Sequence, residues 1–212
     1  MADQINAIRE AIIDGRRKFV AEEVTKALEA GVDPEKLLKE AMVPAMDEVG
    51  KLFEQGEFFI PEMLVAARSM SAGMEILKPK LKENNVETLG VVVVGTAEGD
   101  LHDIGKNLVG MMLEGAGFEV HDLGPDVSPE KFIAAVKEFN AKIVAISALV
   151  TTTMPAMGRT VEAFKAAGLR DQVKIIVGGA PLSQAYADQI GADGYSVDAT
   201  DAVALARKLM SA

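Results

Sequence analysis

Residues 89–105 read LGVVVVGTAEGDLHDIG and contain the strongest strand signal in the chain. Val91 to Val94 are four consecutive β-branched residues, and no comparable run occurs before Thr88. A strand over Leu89–Val94 would be apolar on both faces, as in a parallel sheet covered by helices on either side. The polar loop that follows would lie at the carboxyl end of that strand, where open α/β sheets bind their ligands.

Toward the C-terminus, short apolar runs alternate with helical segments. We predict further strands at Phe118–Asp122, Ile143–Ser147, Lys174–Val177 and Gly194–Val197. Helices are predicted between and after them, at about Ile104–Glu114, Pro129–Phe139, Met154–Ala167, Pro181–Ile190 and Ala199–Met210. Residues 87–212 are therefore predicted to be a flavodoxin-like or Rossmann-like α/β domain with a five-stranded parallel sheet.

Toward the N-terminus the pattern is helical only, and residues 1–86 are predicted to be an all-α four-helix bundle. Pro44 lies inside the third predicted helix and should kink or interrupt it. The fourth, Pro61–Lys82, carries a stripe of apolar residues with alternating spacings of 4 and 3, typical of a bundle core: Met63, Ala67, Met70, Met74, Leu77 and Leu81. Residues 83–87 are predicted to be a polar linker.

Composition excludes several functional classes. The 212 residues carry 22 Lys and Arg against 32 Asp and Glu, and a net charge of −10 argues against binding nucleic acid or an anionic membrane. The absence of cysteine excludes disulfides, thiolate zinc sites and cysteine nucleophiles and is in keeping with a cytoplasmic protein. We find no signal-peptide pattern at Met1–Gln4 and no apolar run long enough to span a membrane.

The two histidines restrict imidazole chemistry to His102 and His121. Asp100 stands two residues before His102, and a carboxylate beside an imidazole can fix its tautomer and raise the basicity of the other ring nitrogen. Taken alone, the same pair also suits a solvated loop or a helix cap. His121 matches no motif, and we interpret it as structural or exposed.

Other ligand-binding motifs are missing from the sequence. The glycines after the first strand do not form the dinucleotide fingerprint G-x-G-x-x-G, and no phosphate-binding G-x-x-x-x-G-K-[S/T] loop occurs. A zinc site would need more ligands than the histidines and nearby carboxylates offer. A phosphoacceptor domain would need an aspartate just after the third strand, where the sequence has Ser147-Ala148-Leu149.

Three motifs together resemble the cobalamin-binding domain of corrinoid proteins. They are Asp100-x-His102-x-x-Gly105, Ser147-x-Leu149-x-Thr151 and Gly178-Gly179, and they occur in the right order with a predicted strand before each motif. The stretch from Val49 to Leu64 similarly resembles the helical cap domain that precedes the cobalamin-binding domain in the same family. The resemblance covers nearly the whole chain. The two predicted domains together are similar to the cap plus B12-binding domains of cobalamin-dependent methionine synthase.

The resemblance implies how the cofactor is bound. The nucleotide tail of cobalamin would leave the cobalt and insert into the α/β domain, and His102 would become the lower axial cobalt ligand, an arrangement called base-off/His-on. Asp100 would hydrogen-bond the ring nitrogen of His102 that does not bind cobalt. The Thr153 hydroxyl would hydrogen-bond Asp100 and so complete a His–Asp–Thr relay. The remaining candidate cofactor-binding residues are Asp103, Gly105, Ser147, Leu149, Thr151, Gly178 and Gly179.

The cap would cover the upper face of the corrin ring. Phe53, Phe58, Phe59 and Leu64 are the candidates on this edge, and we expect one or two of them to touch the ring. Phe53 and Leu64 are therefore included among the predicted cofactor-binding residues.

The resemblance also implies a function in one-carbon metabolism. A corrinoid subunit of a three-component methyltransferase system is not catalytic alone; it carries a methyl group on cobalt. One methyltransferase would load it from methanol, a methylamine, a betaine or an aryl methyl ether, and a second would pass the group to tetrahydrofolate or a thiol. A reductive activator protein would be the third partner.

Three alternatives remain. A cobalamin-dependent sensor or regulator would need a DNA-binding module, but residues 1–86 carry 12 basic against 16 acidic residues. The cofactor subunit of a radical mutase would not need the Phe53–Pro61 cap. A flavodoxin-like module that binds no corrin is the least specific alternative, and a colourless protein would favour it.

Overall fold

The structure is a computed structural model that describes residues 2–84, 86 and 88–211. The chain divides into two compact units: one is Met1–Glu87 with Glu114–Gly117, and the other is Thr88–Leu113 with Phe118–Ala212. Asn85 and Glu87 of the predicted linker lie outside the described residues. Among the described residues, no helix is long and apolar enough to cross a membrane.

The second unit contains a five-stranded parallel sheet in the order β2-β1-β3-β4-β5. Its strands are β1 Val91–Thr96, β2 Glu119–Asp122, β3 Ile143–Ser147, β4 Lys174–Gly178 and β5 Gly194–Ser196. Its helices are α6 Ile104–Gly115, whose last two residues group with the first unit, α7 Pro129–Phe139, α8 Met154–Ala166, α9 Gln184–Ile190 and α10 Ala199–Met210. The predicted doubly wound α/β fold is confirmed. The strand order reverses between β1 and β3, which is where this fold opens a ligand crevice.

In this unit, β1 and α9 have boundaries that differ from the prediction by two residues or more. Strand β1 begins at Val91 rather than Leu89, because Gly90 has φ +150°, outside the extended region. It continues to Thr96 because Gly95 and Thr96 pair with Ile146 and Ser147 of β3. Helix α9 begins at Gln184 rather than Pro181, since the Ser183 side chain accepts a hydrogen bond from Tyr186 N–H and caps the helix there.

The first unit consists of helices, as predicted. They are α1 Ala2–Ile13, α2 Arg17–Glu29, α3 Pro34–Leu37, α4 Val43–Glu54 and α5 Ile60–Glu83. A π-helical segment, Leu38–Met42, joins α3 to α4 immediately before Pro44. Because Pro44 has no N–H to donate to the preceding turn, the predicted irregularity takes the form of this widened turn.

Helix α5 supplies much of the core of the helical unit. All six residues of the predicted stripe are buried: Met63, Ala67, Met70, Met74, Leu77 and Leu81. The α/β unit has its own core, in which Phe132, Phe164 and Val144 are fully buried. Each unit therefore has the buried apolar surface that a separately folding domain requires.

Candidate functional site

The candidate site lies at the carboxyl ends of β1 and β3. These strands pair in parallel register from Val92 opposite Ile143 to Thr96 opposite Ser147, so they end side by side. Two loops begin at this edge: residues 97–103 lead into α6, and residues 148–153 lead into α8. The sheet thus brings together two motifs that are about fifty residues apart in sequence.

The Asp100 carboxylate is the centre of the hydrogen-bond network. Its Oδ1 accepts from the His102 backbone N–H at 3.0 Å and lies 2.7 Å from His102 Nδ1. Its Oδ2 accepts from the Leu149 N–H at 2.8 Å, the Val150 N–H at 3.4 Å and the Thr153 hydroxyl at 2.7 Å. A buried carboxylate with this many donors is compensated for its loss of water.

The electrostatics of Asp100 follow from these contacts. Burial by itself would raise the pKa of the carboxyl. The hydrogen bonds from the His102 N–H, the Thr153 hydroxyl, the Leu149 N–H and the His102 ring outweigh burial and hold the pKa well below its usual range. Asp100 is therefore an anion throughout the physiological pH range.

His102 combines a buried partner with an exposed ring. Its side chain is 54% exposed, whereas the Asp100 side chain is fully buried. An ionised carboxylate accepts hydrogen bonds only, so it selects the tautomer with the proton on Nδ1. The lone pair of a neutral ring is then on Nε2, the form in which imidazole binds a metal ion.

Thr153 lies where the sequence predicts it, beside Asp100. Its Oγ1 is 2.7 Å from Asp100 Oδ2 and 2.9 Å from the Val150 carbonyl oxygen, two acceptors for a single hydroxyl proton. The residue directly precedes α8 and is buried. Thr153, Asp100 and His102 thus form the predicted chain of contacts.

The other predicted residues of the α/β unit are distributed around this chain. The half-buried Ser147 ends β3 and donates its hydroxyl to Thr96 Oγ1 at 3.2 Å. Leu149 meets Asp100 through its backbone and exposes its side chain, and Thr151 is exposed. Asp103 precedes α6 and accepts from Asn107 Nδ2 at 3.2 Å.

Gly178 and Gly179 lie at the end of β4 beside the loop that follows β3. A Cβ atom on Gly179 would lie 1.9 Å from the carbonyl oxygen of Ala148, and the residue has φ +134°. Gly178 accepts from the Ala148 N–H at 3.2 Å through its carbonyl oxygen. The two glycines therefore allow β4 to approach the β3 loop closely.

Three residues that make supporting contacts were missed by the sequence analysis. Asp126, at φ +52°, accepts from the Gly99 N–H at 2.7 Å and donates its own N–H to the Asp100 carbonyl oxygen at 3.0 Å. Thr96 donates to the His102 carbonyl oxygen at 3.2 Å. Arg159 pairs with Glu98 at 2.8 Å. None of these residues lies in a recognisable motif, although Gly124-Pro125-Asp126 is a turn signal.

Lys106 is a further residue that the sequence analysis missed. It is buried, and its ammonium group pairs with the Asp122 carboxylate and lies 2.6 Å from Asn107 Oδ1. A lysine seven residues before the buried Leu113 lies on the apolar stripe of α6, and this pattern would have identified it. The ion pair connects the start of α6 to the end of β2.

The surface around His102 fits a large, partly apolar cofactor. Leu101 and Ile104 are 73% and 72% exposed, and Leu149 and Val150 from the second loop are also exposed. A Cβ atom on Gly105 would have no neighbour within 4 Å, so the backbone is open there. An exposed imidazole ligand among apolar side chains suits the ring of cobalamin better than a small hydrated ion.

The remaining predicted residues belong elsewhere. Phe53, Phe58 and Leu64 are half-buried in the helical unit, and Phe59 is exposed there; their role toward a cofactor stays a prediction. His121 stacks on Phe139 with ring centroids 3.7 Å apart, and its Nε2 is 3.0 Å from Glu119 Oε1. Its ring is therefore held by stacking and a hydrogen bond.

Comparisons with known proteins find two matching family models and similar corrinoid proteins. Residues 90–204 match a family model described as a B12 binding domain, and residues 4–78 match a second model of the same description. The trimethylamine corrinoid protein 1 of Methanosarcina acetivorans is 48% identical, covering 95% of this chain and 94% of that protein. Dimethylamine corrinoid protein 1 of the same organism is 45% identical, with coverages of 95% and 94%.

A solved structure is similar over almost the whole chain. It is the crystal structure of a methanol:cobalamin methyltransferase complex from Methanosarcina barkeri, with a TM-score of 0.87 and 34% identity. The match covers 99% of this chain and 80% of the chain in that structure.

Proposed function

The chain belongs to the family of B12-binding corrinoid proteins and has cobalamin as its cofactor, and we propose from this premise that it carries a methyl group between two methyltransferases. When bound, the cofactor supplies a cobalt centre that accepts and releases the methyl group. The protein supplies the lower ligand and a controlled environment. On its own the chain is a carrier rather than a catalyst.

The Asp100–His102 pair carries this proposal. A buried anion 2.7 Å from Nδ1 orients the ring and leaves Nε2 as the exposed donor, as expected for a base-off/His-on site. The pair also makes His102 a better electron donor than an unassisted imidazole. Axial ligand identity and its hydrogen bonding are the principal means by which a protein adjusts a metal macrocycle.

Asp100 and Thr153 would control the proton on His102. Because Asp100 stays ionised, it can only accept from Nδ1–H, and this would leave the Nε2 lone pair of His102 for the metal. The Thr153 hydroxyl, 2.7 Å from Asp100, stabilises the anion and so keeps Nδ1–H bound to it.

The other predicted residues are assigned by their position. Ser147, Leu149, Thr151, Gly178 and Gly179 would line the cavity for the nucleotide tail, since they follow β3 and β4. Asp103 and Gly105 would lie beside the ring near His102. Residues 1–86 would act as the cap, with Phe53 and Leu64 toward the upper face, and residues 87–212 would form the cobalamin-binding domain.

A substrate-specific methyltransferase is the first proposed partner. The solved relative is part of a methanol:cobalamin methyltransferase complex, and the curated relatives are named for trimethylamine and dimethylamine. These names favour a methylamine or methanol as donor over a betaine or an aryl methyl ether. An acceptor methyltransferase using a thiol or tetrahydrofolate and a reductive activator complete the proposed system.

The visible spectrum with hydroxocobalamin tests the ligand assignment. Purified protein should retain a red chromophore after desalting, and His102→Ala should lose the histidine-ligated spectrum and bind the cofactor about tenfold or more weakly. His121→Ala is the matched control, because it removes the other histidine while leaving the site intact. A spectrum unchanged by His102→Ala would refute the base-off/His-on assignment.

A further inference from the structure

Thr96 occupies a position between two parts of the proposed cofactor site. It is the last residue of β1 and is fully buried. Its hydroxyl donates to the His102 carbonyl oxygen at 3.2 Å and accepts from the Ser147 hydroxyl at 3.2 Å. One side chain therefore contacts both the residue proposed to bind cobalt and a residue proposed to bind the nucleotide tail.

We infer that Thr96 is a positioning residue that couples the tail pocket to the axial histidine. The inference rests on the proposed function, because it assigns a role to Thr96 only if His102 ligates the cofactor and Ser147 meets its tail. It goes further by stating that the two contacts are energetically dependent on one another. Nothing in the motif pattern identifies Thr96, whose role arises from the register that places it opposite Ser147.

The direction of the two hydrogen bonds provides the physical basis. A hydroxyl has a single proton, and Thr96 donates it to the His102 carbonyl group, so it can only accept from Ser147. This arrangement fixes the Ser147 side chain relative to the His102 backbone. Consecutive hydrogen bonds in a buried site polarise one another, so a change at Ser147 alters the contact at His102.

The His102 carbonyl group matters for the orientation of the ring, because it is one of three points at which hydrogen bonds hold this residue. Asp100 fixes the His102 N–H and Nδ1, and Thr96 fixes the carbonyl oxygen. Loss of the Thr96 hydroxyl would leave the peptide group without this donor and allow the loop to shift. A small shift of a ligand away from its required geometry is sufficient to weaken binding.

A double-mutant cycle on cofactor binding tests the coupling. Wild type, Thr96→Val, Ser147→Ala and the double variant are titrated with hydroxocobalamin, and Kd and the visible spectrum are recorded. Each single substitution should weaken binding about fivefold, and the double variant should lose clearly less than the product of the two losses, because both substitutions break the Thr96–Ser147 hydrogen bond. Independent side chains would instead give a loss of about twenty-five-fold, which would overturn the inference.

Cobinamide, which lacks the nucleotide tail, separates the two contacts. Ser147→Ala should weaken cobinamide binding less than cobalamin binding, because cobinamide has no tail for Ser147 to contact. Both Ser147→Ala and Thr96→Val should still alter the spectrum that depends on His102. Thr96→Ser should restore wild-type Kd and spectrum, since it keeps the hydroxyl group. Failure of this rescue would assign the effect to the shape of the side chain and would also overturn the inference.

Thr160→Val is the matched control for loss of a buried threonine hydroxyl. Thr160 is fully buried, and its hydroxyl donates to the Ala156 carbonyl oxygen at 2.9 Å within α8. The Thr160→Val variant should bind cobalamin like the wild type. An equal effect of Thr96→Val and Thr160→Val on cobalamin binding would refute the coupling. If Thr96→Val does not fold by circular dichroism, Thr96→Ala replaces it in the cycle.

The outcomes distinguish this inference from the proposed function. An unchanged spectrum in His102→Ala would overturn the ligand assignment and the coupling with it. A normal effect of His102→Ala together with additive losses in the cycle would overturn the coupling alone.

Discussion

The His102 loop and the Phe53–Leu64 segment both present a large side chain at the surface, but they are constructed differently. His102 is 54% exposed, and its ring and backbone are both hydrogen-bonded to the buried Asp100. Phe59 is 64% exposed, and there it is the backbone that is fixed, with its N–H 3.0 Å from Glu62 Oε2. The polar network therefore fixes the orientation of the His102 ring. The helix cap at Phe59 fixes the position of the backbone only and leaves the orientation of the side chain unspecified.

This difference predicts where substitutions matter. Around His102, a change transmits through shared hydrogen bonds, so effects on stability and on ligation should appear together. Around Phe59, an exposed apolar side chain contributes little to the stability of its unit and acts, if at all, on a ligand or partner. The following experiments test this contrast, beginning with the largest expected effect.

Gly179→Ala should be the most damaging change at the site. The added Cβ would lie 1.9 Å from the Ala148 carbonyl oxygen at φ +134°, so the loop that presents the Leu149 N–H to Asp100 must move. We expect the free energy of unfolding to fall by about 3 kcal/mol or more, measured by urea denaturation. Gly168→Ala is the control, since its φ is also positive, at +68°, but nothing lies within 4 Å; it should cost about 1 kcal/mol. Equal losses would contradict the close-approach argument.

Asp100→Asn should be next, with a defined pH dependence. The lowered pKa means that the ionised carboxylate contributes stability fully above the ordinary aspartate range, near ~4, and loses it as the pH falls through the lowered pKa. The variant should be less stable than wild type by about 2 kcal/mol at pH 7, and the difference should shrink below about pH 4.

Urea denaturation at several pH values measures this dependence. Asp33→Asn is the control: Asp33 caps α3 at an exposed position, and asparagine caps equally well. A constant difference between Asp100→Asn and wild type from neutral to strongly acid pH would show that the charge of Asp100 is not what stabilises the loop.

Much of this architecture was predictable because its signals are local. The run Val91–Val94 and the alternation of strands and helices determine the sheet, and the spacing of Asp100 and His102 indicates that the carboxylate and the imidazole are in contact. The position of Thr153 beside Asp100 was expected from the resemblance to the cobalamin-binding domain. Burial of the α5 stripe followed from its periodicity alone.

The supporting residues were not predictable because their roles depend on tertiary register. The proposed role of Thr96 depends on its position opposite Ser147 in the sheet. Asp126 reaches the Gly99 N–H because its backbone adopts a left-handed conformation. Lys106 is an exception, since a lysine on an apolar stripe signals a buried partner, here Asp122. Strand β1 was misjudged by two residues at its start, because the conformation of Gly90 is not encoded in hydrophobicity.

Thr153→Ala should perturb the network only mildly. It removes one of several donors to Asp100, so the pKa of that carboxyl should rise toward its usual range while the other donors keep it ionised near neutral pH. We expect a loss of about 1 kcal/mol in unfolding free energy and a small change in the spectrum of bound cobalamin. Thr153→Ser should restore both, and the exposed neighbour variant Thr152→Ala should change neither. Complete loss of cofactor binding would mean that Thr153 contacts the cofactor itself.

Phe59→Ser should have the smallest effect and therefore tests the other side of the comparison. Because the ring is mostly exposed, the free energy of unfolding should change by no more than about 0.5 kcal/mol, and the His102-dependent spectrum should be unaltered. Met63→Ala, one turn along α5 and fully buried, should cost about 3 kcal/mol in the same assay.

If Phe59 helps to cover the cofactor, as proposed for this edge, Phe59→Ser should exchange the upper cobalt ligand for added cyanide faster than wild type does. An exchange rate equal to that of wild type would remove Phe59 from the proposed cover. The remaining candidates would then be Phe53, Phe58 and Leu64, whose half-buried side chains are held more firmly by the helical unit.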